Sequence, residues 1–515
     1  MDTNLARLLT ETSAEHGGRP ALKLDERLMT YEALHQGAAR VAGLLKQRGI
    51  APGDRVGIML PNLPYFATVY YGILRAGGVV VPMNLLFKRR EVSFYLADSR
   101  ARQVFVWHEF AESGQAGGAE AGTEVITVAP GDFEQLLAAA PAEFADAPRD
   151  PSDTAVILYT SGTTGTPKGA ELTHDNLLEN CVRGGTALLG TSEQDVVLGA
   201  LPLFHSFGQT ACLNASVRAG ACLTLMPRFD AEEALEIITR DKVTLLHGVP
   251  TMFHALLNHP QRDSYDVSSV RLCCSGGSAM PVEVMRGFER AFGCLILEGY
   301  GLSETSPVAS FNHVDRERKP GSIGTPIDGV EMKVFDPEEN ELAAGEVGEI
   351  VIRGHNVMKG YHNRPEATAE AMRGGWFHTG DLARVDQDGY FFIVDRKKDM
   401  IIRGGYNVYP REIEEVLYEH PGVLEAAVIG VPDSALGEEI GASVVLRPGV
   451  EVSADDIRDF VKDRVAAYKY PRHVWFADEL PKSATGKVLK RDIQVPDIAR
   501  ASVASHQKQT AATER

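Results

Sequence analysis

Residues 155–174 read Ala155-Val-Ile-Leu-Tyr159-Thr-Ser-Gly-Thr-Thr-Gly-Thr-Pro-Lys168-Gly169-Ala-Glu-Leu-Thr-His174. The apolar run 155–159, bounded by turn formers, predicts a buried strand. The Gly/Thr run that follows predicts a loop, with a helix from about His174. In that loop, three glycines free the backbone to approach an anion, the hydroxyls add donors for phosphate oxygens, and Lys168 supplies a point charge. A flexible turn between strand and helix is the plain alternative, and a shorter fragment would be read that way. The GxxxxGK[ST] spacing is absent, so this is not a Walker loop.

The surrounding chain has the texture of a layered α/β protein. Upstream, a helix over 31–48, a strand over 55–60 and an apolar run at 78–82 alternate. Residues 111–152, rich in Ala, Gly and Glu, predict surface helices and loops. Downstream, 243–248 and 270–275 predict buried strands of the parallel type. Shorter β segments, 332–335 and 349–353, and a hairpin-like stretch at 389–394 lead into the charged run Asp395-Arg396-Lys397-Lys398-Asp399. That run is placed as a linker. Beyond it, helices over 411–419 and 454–464 and strands near 426–430 and 442–446 predict a second core. The polar end of the chain predicts disorder.

A chain of 515 residues exceeds what one core serves, so at least two domains are expected. Seventy acidic against 52 basic side chains give a formal charge of −18, which disfavours nucleic acid and anionic membranes as bulk partners. The N-terminal residues lack a signal-peptide pattern, and no uninterrupted apolar run is long enough for a transmembrane helix, leaving at most peripheral membrane contact. Six cysteines without a CxxC pair read as buried thiols of a cytoplasmic protein, the adjacent Cys273 and Cys274 included.

The Gly/Thr loop resembles the signature of the adenylate-forming superfamily, which holds acyl-CoA synthetases, luciferases and peptide synthetase adenylation domains. Further motifs match in order: Gly276-Gly277-Ser278, Tyr300-Gly-Leu-Ser-Glu304-Thr305, Thr379-Gly-Asp381, Asp395-Arg396 through Gly405, and Pro481-Lys-Ser-Ala-Thr-Gly-Lys487. The resemblance spans about residues 10 to 492. It implies an α/β fold with a large N-terminal AMP-binding domain (1–395, two α/β layers plus a β subdomain), a hinge at 396–399, a small mobile α/β domain (400–493) and a tail at 494–515.

It also implies roles. Thr160, Ser161, Gly162, Thr163, Thr164, Gly165, Thr166 and Lys168 would bind ATP phosphates. Tyr300 would stack on adenine beside Gly276, Gly277 and Ser278, with Glu298, Gly299, Gly301 and Ser303 in the same nucleotide site; Ser303 keeps the hydroxyl of the Thr common at its position. Glu304 would hold Mg²⁺, a hard cation that favours oxygen ligands. Asp381 would accept the ribose hydroxyls, supported by Ile393 and Arg396. Lys487 would stabilise charge shared between the attacking carboxylate and the α-phosphate. Lys398 would be the hinge residue, and Gly404 and Gly405 would admit the CoA pantetheine. Taken singly, each of these residues also has a structural reading, as turn, core or surface charge.

The acid pocket by the same pattern takes His205, Ser206, Phe207, His247, Val249, Met252 and Ala279. These segments hold no carboxylate for a substrate ammonium and no Arg or Lys for a second carboxylate, which disfavours amino acids and malonate. A medium- or long-chain fatty acid is expected, giving an AMP-forming acid–CoA ligase. A cinnamate-type aryl acid, or a carrier protein as acceptor, are the alternatives, and a luciferase-like monooxygenase carries little weight. Similar enzymes are often homodimers.

Overall fold

The computed structural model describes residues 3–160, 166–483 and 485–496. Its Cα positions divide into two compact units. One comprises Met1–Ser278, Phe288–Met332 and Ile352–Phe377; the other comprises Ala279–Gly287, Lys333–Val351 and His378–Arg515.

In the first unit, two sheets form where the sequence supplies runs of β-branched residues. The strands Val79–Pro82 and Gln103–Trp107 are buried along their whole length, as expected for strands covered on both faces. A seven-stranded sheet runs Gly360–Tyr361, Lys168–Thr173, Thr154–Thr160, Val79–Pro82, Arg55–Met59, Gln103–Trp107, Glu124–Val128. Its last five strands pair in parallel, and Lys168–Thr173 turns back antiparallel on Thr154–Thr160. A nine-stranded sheet includes Val196–Gly199, Leu245–Gly248, Leu272–Ser275 and Leu295–Gly301 as adjacent members.

The helices start where their caps dictate. The Thr30 hydroxyl accepts from the Ala33 N–H at the start of Tyr31–Gln47, and Asp230 accepts from the amides of Glu232 and Glu233 at the start of Ala231–Asp241. Helix Tyr31–Gln47, strand Arg55–Met59 and strand Val79–Pro82 lie where periodicity put them, to within a residue or two. Two features differ from expectation. The segment 111–152 contains helices Ala111–Ala121 and Asp132–Ala139 but also the edge strand Glu124–Val128. The chain after the Gly/Thr loop forms a strand before the helix His174–Asn180; a reciprocal cap between Thr173 and Asn176 fixes that helix start.

The second unit carries a five-stranded sheet built on the hairpin of Val423–Asp433 and Gly437–Leu446, with Ile401–Arg403, Tyr406–Val408 and His473–Phe476. Helices Pro410–Tyr418 and Ala454–Lys462 turn Ile413, Leu417, Ile457 and Val461 into its core with Val428, Ile440 and Val444. Strands Phe377–Val385 and Phe391–Arg396 form an antiparallel pair in a four-stranded sheet.

One buried ion pair ties the first unit together. Arg75, with no exposed side-chain surface, donates from Nε to Asp146 Oδ1 at 2.9 Å, from Nη1 to the His35 carbonyl at 3.0 Å and from Nη2 to Thr10 Oγ1 at 2.8 Å. Arg75→Met strands the Asp146 carboxylate, so a loss of about 3–5 kcal/mol is expected, read as a lower urea midpoint. A change under about 1 kcal/mol would show that Asp146 recovers its solvation.

Candidate active site

Antiparallel pairing makes Thr160 and Lys168 register partners at the two ends of the Gly/Thr loop. Ser161, Gly162, Thr163, Thr164 and Gly165 lie outside the described residues; Thr166 follows them in a bend. The loop ends therefore stand side by side, fixed by the sheet.

Glu304 sits in the short turn Ser303–Thr305 that follows strand Leu295–Gly301. The residue is buried, at 8% exposure. Oε1 accepts from Thr160 Oγ1 at 3.1 Å and from the Tyr361 hydroxyl at 3.0 Å. Tyr361 lies on the two-residue strand paired with Lys168–Thr173, and Lys168 Nζ is 5.3 Å from the centre of its ring. Burial, reinforced by the Glu304 charge, raises the Tyr361 phenol well above its ordinary range, so it remains a neutral donor. Thr160, Lys168, Glu304 and Tyr361 thus form one cluster. Tyr361 is the member that sequence reading missed: nothing in Lys359-Gly-Tyr-His-Asn-Arg-Pro365 indicates that position 361 faces 304, and only the strand pairing brings them together.

Gly299 and Gly301 flank Tyr300 on the strand that leads into this turn. A Cβ at Gly301 would lie 1.7 Å from the Pro307 carbonyl oxygen, and one at Gly299 would strike the Phe311 ring at 2.1 Å. Packing alone therefore demands both glycines. Glu298 is buried beside them. Gly276, Gly277 and Ser278 follow strand Leu272–Ser275, where the Gly276 N–H donates to the Gly248 carbonyl at 3.2 Å.

Of the acid-pocket residues, Phe207 and His247 come together, next to Gly276 of the nucleotide motif. The Phe207 ring meets His247 edge-on at 6.2 Å and lies 3.1 Å from where a Gly276 Cβ would be. The Phe207 N–H donates to His205 Nδ1 at 3.3 Å, and Val249 and Met252 are buried. Burial lowers His247 to about 4, so its imidazole is neutral. Ser206 Oγ, Gln209 Oε1 and His247 Nδ1 are buried without a hydrogen-bond partner among the described residues. Ala279 falls in the second unit.

In that second unit, Asp381 and Arg396 are register partners on the antiparallel pair, with Arg396 Nε 3.4 Å from Asp381 Oδ1. Asp381 is buried. The Ile393 carbonyl accepts from Arg411 Nη1 at 2.8 Å. Lys398 lies in the turn after Arg396, where the Lys397 N–H donates to the Gly380 carbonyl at 3.0 Å. Gly404 (φ +55°) and Gly405 (φ +86°) close the two-residue turn between Ile401–Arg403 and Tyr406–Val408, and positive φ at both positions selects glycine. The backbone at Lys487 is held by Ser483, whose N–H donates to the Lys487 carbonyl at 2.8 Å. Burial, then the charges of Arg396 and Lys398, lower the Lys487 amine to about 8, while Asp381 and Asp399 oppose the shift.

No group of three or more His, Cys, Asp or Glu among the described residues is placed to hold a metal ion, and no helix among them is long and apolar enough to cross a membrane.

Residues 9–362 match the family described as AMP-binding enzyme, and residues 412–487 match the AMP-binding enzyme C-terminal domain. A long-chain-fatty-acid–CoA ligase of Bacillus subtilis (strain 168) is 39% identical over 522 residues, covering 95% of this chain and 93% of the relative. A feruloyl-CoA synthase of Amycolatopsis sp is 39% identical over 487 residues, covering 94% and 95%. Among solved structures, an anthranilate CoA ligase in complex with anthranoyl-AMP aligns with a TM-score of 0.90 at 31% identity, covering 99% of this chain and 98% of that one.

The electrostatics around Lys487 have a testable sign. With its amine drawn down to about 8, the cation is complete below that pH and is lost as pH rises through it. Pulsed acylation with mass-spectrometric readout of Lys487 is expected to titrate near that value. Asp381→Asn removes an attractive charge and moves the midpoint lower; Arg396→Gln removes a repulsive one and moves it higher. A midpoint near the ordinary lysine value in all three proteins would contradict this electrostatic arrangement.

Proposed function

Because the chain belongs to the AMP-binding enzyme family and is an AMP-forming acid–thiol ligase, we propose that its acid is a medium- or long-chain fatty acid. Two half-reactions follow. The carboxylate attacks the α-phosphorus of ATP, forming acyl-AMP and releasing pyrophosphate. The CoA thiol then displaces AMP to give the thioester.

The observation that carries the nucleotide reading is the buried Glu304 carboxylate, pinned through one oxygen beside the two ends of the Gly/Thr loop. ATP phosphates would take the loop amides and hydroxyls with Lys168. Mg²⁺ would be held by Glu304 and by phosphate oxygens, where it offsets phosphate charge; a single carboxylate suits a cation that arrives with the nucleotide. Tyr300 would stack on adenine, and Asp381, oriented by Arg396, would accept the ribose hydroxyls. Lys487 would stabilise the charge developing between carboxylate and α-phosphate. The segment 396–399, with Lys398 as pivot, is the proposed hinge between half-reactions, and the Gly404-Gly405 turn is where the CoA thiol would pass. We place the enzyme in the cytoplasm, where its free cysteines, five of them buried, would stay reduced.

The acid assignment rests on the apolar Phe207, Val249 and Met252 and on the fatty-acid relative. One observation favours a second reading: the unpartnered Ser206 Oγ, Gln209 Oε1 and His247 Nδ1 would suit an acid with a hydroxyl or ether, as in a hydroxycinnamate. The feruloyl-CoA synthase relative agrees with that alternative.

AMP release measured with octanoate, palmitate, ferulate, benzoate and malonate, each with and without CoA, separates the readings. CoA-dependent release with octanoate or palmitate is the expected result. A response confined to ferulate moves the enzyme to aryl acids, and pyrophosphate exchange without thioester formation points to a carrier-protein acceptor. Lys487→Ala is expected to depress adenylate formation about a hundredfold or more while sparing thioester formation from supplied acyl-AMP. Equal loss in both half-reactions would overturn the hinge assignment.

A further inference from the structure

Two hydroxyl donors, from opposite sides of the chain's topology, converge on a single oxygen of Glu304. Thr160 arrives from the end of its strand and Tyr361 from the two-residue strand on the far side of Lys168–Thr173. Both donate to Oε1, and no donor among the described residues is recorded at Oε2. A carboxylate with one oxygen doubly bonded to neutral donors cannot rotate freely about its terminal torsion. The orientation of the second oxygen is thereby set by the two bonds to the first. The same tyrosine presents its ring to Lys168 Nζ at 5.3 Å, a favourable placement for a cation over an aromatic face. One side chain therefore touches the anionic and the cationic member of the cluster through different parts of its surface.

We propose that Tyr361 is a positioning residue of the adenylation site, whose hydroxyl fixes Glu304 so that Oε2 meets the nucleotide-bound cation and whose ring steadies Lys168 for the phosphates. This rests on the reading of Glu304 as the cation's protein ligand. The two functions of Tyr361 separate by chemistry. Removing the hydroxyl alone leaves Glu304 Oε1 with only its Thr160 donor and keeps the ring beside Lys168. Removing the ring disturbs both.

The test uses the full-length protein and reads binding as well as turnover. Calorimetric affinity is measured for ATP in EDTA and for ATP with Mn²⁺, in the wild type and in Tyr361→Phe, Tyr361→Ala, Thr160→Val and Glu304→Gln. Tyr361→Phe is expected to weaken Mn²⁺–ATP about tenfold, the scale of one hydrogen bond to a charged group, with metal-free ATP within about twofold. Half-maximal pyrophosphate exchange should need correspondingly more divalent cation. Tyr361→Ala should weaken metal-free ATP as well, through Lys168. Thr160→Val, whose substitution spares the tyrosine, should move cation dependence in the same direction as Tyr361→Phe. It keeps the test open should either tyrosine variant fold poorly.

Adding Tyr361→Phe to Glu304→Gln should then give no further loss of Mn²⁺–ATP affinity. If Glu304→Gln leaves cation dependence unchanged, the reading of Glu304 itself fails. If Glu304→Gln shifts it and Tyr361→Phe does not, or if Tyr361→Phe weakens both forms of ATP equally, the positioning role is overturned.

Discussion

The Gly/Thr loop, proposed to take the triphosphate, has two ends that are not free. Thr160 and Lys168 face each other as partners in an antiparallel ladder, and that pairing sets where the loop begins and ends. The loop's glycines make its backbone permissive, which carries an entropic cost; holding the ends in a sheet limits the conformations that must be frozen when an anion binds. The same ladder extends to Gly360–Tyr361, so the tyrosine that reaches Glu304 is placed by the sheet and not by the loop. Lys168 and the orienting hydroxyls are thus referred to one sheet, while Glu304 comes from the turn after a strand of the nine-stranded sheet and is tied to that frame by its two hydrogen bonds.

Much of this was legible in the sequence, because the residues concerned are constrained by local chemistry. Helix Tyr31–Gln47 is bounded by a Thr cap and an amphipathic repeat, and the strands Val79–Pro82 and Leu245–Gly248 are short buried runs; each emerges from periodicity. The loop itself shows through its composition. Strand Lys168–Thr173 did not, since its first residues look like the loop's tail and it pairs only because Thr154–Thr160 lies beside it. Tyr361 was invisible for a related reason. Its meaning resides in a contact spanning 57 residues to Glu304, and no local pattern encodes such a distance.

Glycines in the nucleotide motifs do two jobs that sequence cannot separate. The family resemblance puts Gly299 and Gly301 in the nucleotide site, yet the Phe311 ring and the Pro307 carbonyl would each clash with any side chain there. The strand must be narrow before any ligand is considered. Gly405 is the opposite case: a Cβ there would meet nothing within 4 Å, and the glycine is set by its left-handed backbone alone. Motif glycines therefore differ in what substitution would damage, packing in one place and turn geometry in another.

The identity of the acid resists the sequence because an apolar pocket and an apolar core are written in the same letters. Phe207, His247 and Met252 lie on segments whose burial would be the same in a plain α/β core. A buried polar atom that the protein does not satisfy costs stability unless water or a ligand meets it, and such atoms also occur on other segments, Gln103 Oε1 and Ser216 Oγ among them. His247, kept neutral by burial, retains one donor and one acceptor, while its Nδ1 finds no partner among the described residues. If His247 lines the acid pocket as proposed, an aliphatic chain leaves that cost in place and a hydroxylated acid removes it. The weight given to the aryl alternative therefore follows from three unsatisfied atoms, Ser206 Oγ, Gln209 Oε1 and His247 Nδ1, and not from the composition of the segments that carry them.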